Sequence, residues 1–167
     1  MRMLVALAML IVLASCSDEK KAAKDPFAYC AAVGTIDAPD GRYTGEKVPE
    51  GLIASMRKVL GFANFMPADE IARGTSWRCM DGKLYACYVG ANLPCAAKAN
   101  ADRTPAPALV EYCQREAGAD IIPAVVTGRE TIYVWRCRNG APEIVREVAS
   151  ADARGFLSNI WREIPPP

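Results

Sequence analysis

The chain has 167 residues, with 20 Lys and Arg against 19 Asp and Glu, seven Cys and no His. That length fits one domain or two very small ones. Near-neutrality argues against a nucleic-acid footprint and a general pull toward anionic lipid. Without an imidazole, Ser-His-Asp and Cys-His catalysis and His-ligated zinc or haem are excluded.

The first segment, residues 1–15, reads as a secretion signal. Arg2 gives the positive end, residues 3–13 form an apolar run, and Leu13-Ala14-Ser15 supplies small side chains before Cys16. The run is too short to cross about 30 Å of hydrocarbon as a helix. Leu13-Ala14-Ser15-Cys16 resembles the lipobox of bacterial lipoproteins. That resemblance implies cleavage before Cys16 and its acylation with palmitate-class chains, which anchor stably when two or three act together. Ser17 in place of Asp favours, by the same resemblance, the outer membrane over the inner. Residues 16–24 follow as a polar tether with no aromatic or β-branched side chain.

A first unit is expected over residues 25–103. Asp25 and Pro26 begin a helix over Pro26–Val33. A polar, glycine-rich loop runs from residue 34 to 45. Leu52, Ile53, Met56, Val59 and Leu60 recur at helical spacing over Glu50–Leu60, with Gly61 as the stop. Residues 67–73 give one or two further turns. Asp81-Gly82 then accepts the positive φ angles of a type I′ turn, pairing Thr75–Met80 with residues 83–89 as a hairpin.

Residues 104–107, Thr-Pro-Ala-Pro, read as a connector, and a second unit is expected over 108–167. Its helix covers residues 108–117. Asn139-Gly140 turns a second hairpin between residues 131–137 and 143–148. A last strand is expected over 158–164, ended by three prolines that cannot continue a sheet. The predicted fold class is α+β: a small disulfide-stapled domain of two related helix-plus-hairpin units with antiparallel strands.

The cysteines carry the repeat. Besides Cys16 the chain has Cys30, Cys79, Cys87, Cys95, Cys113 and Cys137, an even set suited to an oxidising compartment. None is spaced Cys-x-x-Cys, so redox-pair, zinc-knuckle and c-type haem signatures are missing. Tyr29-Cys30, followed by Gly34, matches Tyr112-Cys113, followed by Gly118. Trp77-Arg78-Cys79-Met80-Asp81-Gly82 matches Trp135-Arg136-Cys137-Arg138-Asn139-Gly140. With only three Trp in the chain, Trp-Arg-Cys twice points to one unit used twice. The repeat predicts Cys30–Cys79 and Cys113–Cys137, and leaves Cys87–Cys95 as a small loop. Alternation sets Trp77 with Cys79, and Tyr133 and Trp135 with Cys137, while Arg78 and Arg136 point away from the core. The tryptophans are expected to pack on the disulfides, with a sugar-stacking platform as the alternative.

In the 34–45 loop, Asp37, Asp40, Arg42 and Tyr43 are the candidate binding residues, since a polar loop on a stapled frame is where ligands are held. Turn-capping is the plainer role for the two aspartates; a calcium site lacks the EF-hand spacing and closing Glu. Serine-hydrolase, phosphate-loop and dinucleotide signatures are missing, and the acidic residues show no marked pair for glycoside hydrolysis. No catalytic residue, metal or cofactor is assigned.

Residues 30–40, Arg78-Cys79-Met80-Asp81-Gly82, Gly90-Ala91-Asn92-Leu93-Pro94-Cys95 and Val126 through Cys137 resemble cysteine-rich lipoproteins and secreted proteins of α-proteobacteria. That group brings no established activity, and His is common in it where Arg129 stands here. The expectation is a non-enzymatic, lipid-anchored periplasmic module with an interaction or envelope-structural role. Its expected partners are the membrane, through acyl chains, and an envelope protein or glycan, not nucleic acid. The alternative is a glycan- or ligand-binding protein, or an inhibitor of a wall-degrading enzyme, acting through the 34–45 loop.

Overall fold

The computed structural model describes residues 23–90 and 92–167. The signal segment, Cys16 and the tether up to residue 22 lie outside the described residues. Ala23, at the tether's end, is already tied down: its N–H donates to Arg42 O and its carbonyl accepts from Thr44 N–H, both at 2.9 Å.

The chain folds as a small α+β protein with antiparallel sheets and three disulfides. α1 (Pro26–Val33) starts where Asp25 accepts the Ala28 N–H at 2.8 Å and ends at Gly34, φ 76°. α2 (Glu50–Leu60) ends at left-handed Gly61. Arg57 then donates to the carbonyls of Ala63 (3.0 Å) and Met66 (2.6 Å), which fixes the turn into α3 (Ala68–Gly74). β1 (Thr75–Met80) and β2 (Lys83–Tyr88) form the first hairpin around Asp81 and Gly82, both at positive φ.

α4 (Pro107–Arg115) opens the second unit, with Pro107, the last connector residue, in its first turn. A short α5 (Ala124–Thr127), which the apolar pattern does not reveal, precedes β3 (Tyr133–Arg138) and β4 (Ala141–Glu147), joined at Asn139-Gly140. The expected last strand shrinks to β5 (Arg162–Glu163), antiparallel to β2. Residues 150–158 instead fold back on themselves. Ala151 bridges Leu157, and Asp152 accepts the backbone N–H of Arg154 (2.8 Å) and Phe156 (3.1 Å). Residues 158–160 then form a turn, with Ile160 N–H donating to Leu157 O at 3.4 Å, so extended pairing begins only at Arg162.

The disulfides join Cys30 to Cys79, Cys87 to Cys95 and Cys113 to Cys137, the pairs that the repeated frame singles out. In each unit the segment after the helix cysteine hydrogen-bonds to the hairpin. Cys79 N–H donates to Ile36 O (3.0 Å) and Gly82 N–H to Gly34 O (2.9 Å). Cys137 N–H donates to Ala119 O (2.7 Å) and Gly140 N–H to Ala117 O (3.1 Å). Gly34 therefore corresponds to Ala117, one residue before the Gly118 that the sequence motif suggests.

Each unit has its own core. Tyr29, Cys30, Leu52, Met56, Ile71, Trp77, Cys79 and Leu84 are buried in the first; Leu109, Cys113, Tyr133, Trp135 and Cys137 in the second. Trp77 is 3% and Trp135 7% exposed, so both pack as core. A third cluster of Cys87, Cys95, Phe156 and Trp161 lies between the units and is built from both. The units are laced at several points. Residues 156–164 cross onto the first hairpin, and Asn100 exchanges hydrogen bonds with Glu130 and Ile132 of the second unit. Among the described residues no helix is long and apolar enough to cross a membrane.

Candidate functional site

Two of the four candidate loop residues, Asp40 and Arg42, satisfy one another. Asp40 accepts Arg42 Nε with both carboxylate oxygens at 2.9 Å, and Arg42 Nη2 at 2.6 Å. The Tyr29 hydroxyl donates to Asp40 Oδ1 and accepts the Asp40 N–H, each at 3.1 Å. The hydrogen bonds from Arg42 hold the Asp40 carboxyl far below the usual carboxylate range. Tyr43 leans edge-on against Trp77 (ring centroids 5.0 Å apart) and Tyr29 (5.5 Å), and its hydroxyl donates to Glu46 O at 2.6 Å. Burial, then the charges of Asp25 and Glu46, push that hydroxyl's pKa up. These contacts close the loop onto α1 and β1.

Asp37 points elsewhere. Arg154 Nε donates to Oδ1 and Lys98 Nζ to Oδ2, each at 2.8 Å. The Arg154 hydrogen bond, then that of Lys98, lowers its pKa from 3.8 to about 2. Asp37 and Asp40 therefore face different cations and do not converge on one ion. Lys98 also donates to Arg154 O at 2.8 Å and lies 3.4 Å above the centre of the Phe156 ring. This cluster stands at a cleft of about 350 Å³ whose lining includes Asp37, Ser76, Cys95, Lys98, Phe156 and Trp161. The hydrogen bonds from Arg154 and Lys98 favour the ionised form of Asp37.

Behind the cleft lies Arg78. Alternation does send it off the Trp77–Cys79 face, but not to the surface: it is 1% exposed. Phe156 and Trp161 lie 4.4 and 4.5 Å from its guanidinium carbon, and Asp152 takes Nη2 in an ion pair. Nε and Nη1 have no hydrogen-bond partner; the aromatic faces take that place. Burial works to raise the pKa of Asp152, yet the hydrogen bonds from Arg78 and the Phe156 and Arg154 amides win and lower it. Arg136, at the matching repeat position, stays at the surface and donates to both oxygens of Glu143 at 3.1 Å.

Sequence reasoning misses Lys98, Asp152, Arg154, Phe156 and Trp161. The available signals are weak: an Asp152-Ala153-Arg154-Gly155 turn, and a third Trp outside the repeat. No protein-family model, curated protein or solved structure matches this chain.

Proposed function

We propose that the chain is a lipid-anchored, non-enzymatic interaction or envelope-structural module held on the periplasmic side of a bacterial membrane, with the outer membrane favoured. Its exported character is supported by three disulfides, which persist in an oxidising compartment. The observation that carries the reading is the Arg78 clasp. It fastens the second unit's C-terminal segment onto the first hairpin and makes one stapled block, a scaffold suited to presenting fixed surfaces. Ala23 is bound to the body, so an anchor at Cys16 would keep that point within ~25 Å of the lipid, the span of the fully extended intervening chain.

Mass spectrometry of the mature chain tests the anchor. The expected N-terminus is an acylated Cys16, with Cys16→Ser released from the membrane fraction. A chain starting elsewhere, or with an unmodified Cys16, contradicts the reading. The cleft with Asp37 and Lys98 at its lining supports a second reading, a glycan- or ligand-binding protein or an inhibitor of a wall-degrading enzyme. Titration with muropeptides and with lysozyme tests it: no binding at high micromolar concentration ends it.

A further inference from the structure

The two hairpins correspond strand for strand, but they are covered differently. On the first, β5 occupies the outer edge of β2, with Tyr85 opposite Glu163, Ala86 opposite Arg162, and Ile164 N–H donating to Leu84 O at 2.8 Å. Its outer face is roofed by Phe156 and Trp161 over Arg78. In the second hairpin the register puts Pro142 where Leu84 stands, Ile144 where Ala86 stands and Arg136 where Arg78 stands.

Among the described residues β4 pairs only with β3, and its other edge carries no strand. Cys137 donates its N–H to Ala119 instead of across to Pro142. Cys137–Pro142 and Trp135–Ile144 are therefore the non-hydrogen-bonded pairs of the ladder. The N–H and C=O of Ile144 and the C=O of Pro142 point outward.

Among the described residues no aromatic ring stacks on Arg136, Arg138 or Arg146. Cross-strand partners share a face, so Arg136, Arg138 and Arg146 lie together with Glu143, and the charge of Asp120 acts on Arg136 as well, three cations to two anions. The Arg138 side chain is 67% and that of Arg136 33% exposed, against 1% for Arg78.

We propose that this edge and face dock an extended, acidic segment of a partner protein, which adds a strand to β4 and lays carboxylates on the three arginines. The chain's own residues 150–164 do the equivalent on the first hairpin, with a strand on the edge and an acid on the buried arginine. The inference rests on the interaction-module reading but is independent of the anchor. Pairing between copies is opposed by Pro142, by the bulge beside Val134 and by the charges along β4, devices that protect an edge from its own kind. The excess of arginine selects the complementary charge.

The test uses the full mature chain carrying Cys16→Ser, isotopically labelled, with a synthetic decapeptide alternating Asp and Thr around one Trp. The expected result is saturable binding that slows Ile144 amide exchange and shifts the Arg138 side-chain resonance. Arg138→Glu with Arg146→Glu should bind about tenfold more weakly or worse, while circular dichroism stays unchanged. A lysine-substituted peptide should not bind. The proposal falls if Ile144 exchange is unaltered at millimolar peptide, or if the lysine peptide or the charge-reversed variant binds equally. It also falls if Ile144 is protected by self-association alone, or if anionic vesicles bind this face in preference to the peptide. None of these outcomes bears on whether Cys16 is acylated, so the two readings fail separately.

Discussion

Among the described residues Arg78 and Asp152 form the most deeply withdrawn ion pair, with side chains 1% and 10% exposed. Desolvating such a pair is offset only while both partners remain, so removing one costs about 3–5 kcal/mol. Asp152→Ala should therefore lower the denaturant midpoint strongly in chemical unfolding with the disulfides intact. The double variant Arg78→Met, Asp152→Ala should recover part of that loss, because a thioether between Phe156 and Trp161 needs no counter-charge; a loss equal to or beyond the single variant's would refute this account. Asp37 gives a pH dependence. Its folded pKa, about 2, lies below the ordinary 3.8, so its contribution is present above 3.8 and fades as pH falls toward 2, where the unfolded chain binds the proton first. Asp37→Asn should show a shallower loss of stability across that window in urea midpoints. At this scale the sequence is least legible: a strand's alternation says which face Arg78 takes, but not that Asp152, 74 positions away, and the Phe156 and Trp161 beyond it will cover that face.

Helices and hairpins are far more legible, because their signals are local. Asp25-Pro26, Gly61, Asp81-Gly82 and Asn139-Gly140 each mark a boundary within a residue or two of where it falls. The last strand is over-read, since residues 158–160 form a turn in which Ile160 N–H donates to Leu157 O at 3.4 Å, and α5 is missed because it is a single turn with no buried residue. The disulfides should rank by the loop each closes. Separations of 49, 24 and 8 residues give contributions of about 4, 3.5 and 2.5 kcal/mol on the loop-entropy model. Paired Cys→Ser variants, compared by urea unfolding, check that order. Tyr88 supplies another test. Its ring stacks edge-on with Phe62 at 4.8 Å between centroids and fills the space a side chain at Gly74 or Gly90 would need. Gly74→Ala should displace the ring and cost about 1–3 kcal/mol, read as a lowered unfolding midpoint and an altered Tyr88 ring resonance.

Across the described residues, the two helix-and-hairpin segments are alike near the cysteines and differ where they meet. Residues 150–164 belong to the second unit in sequence but pack on both, with Leu157 in the second core and Trp161 and β5 on the first hairpin, which is why the connector at 104–107 is a seam in composition but not in packing. The repeated Trp-Arg-Cys frame makes the staples legible, whereas the cleft is not, because its lining comes from four separated stretches of chain. Ending the chain at residue 149 should unroof Arg78 and remove β5, so the truncated protein should lose cooperative unfolding while retaining the Cys113–Cys137 bond. A truncated chain that unfolds as sharply as the full one would show that the clasp is dispensable. The most direct test of two stapled copies of one unit is a non-reducing peptide map of the mature chain by mass spectrometry. The account predicts three cross-linked products, joining Cys30 to Cys79, Cys87 to Cys95 and Cys113 to Cys137; a product linking Cys113 to any cysteine other than Cys137 would contradict it.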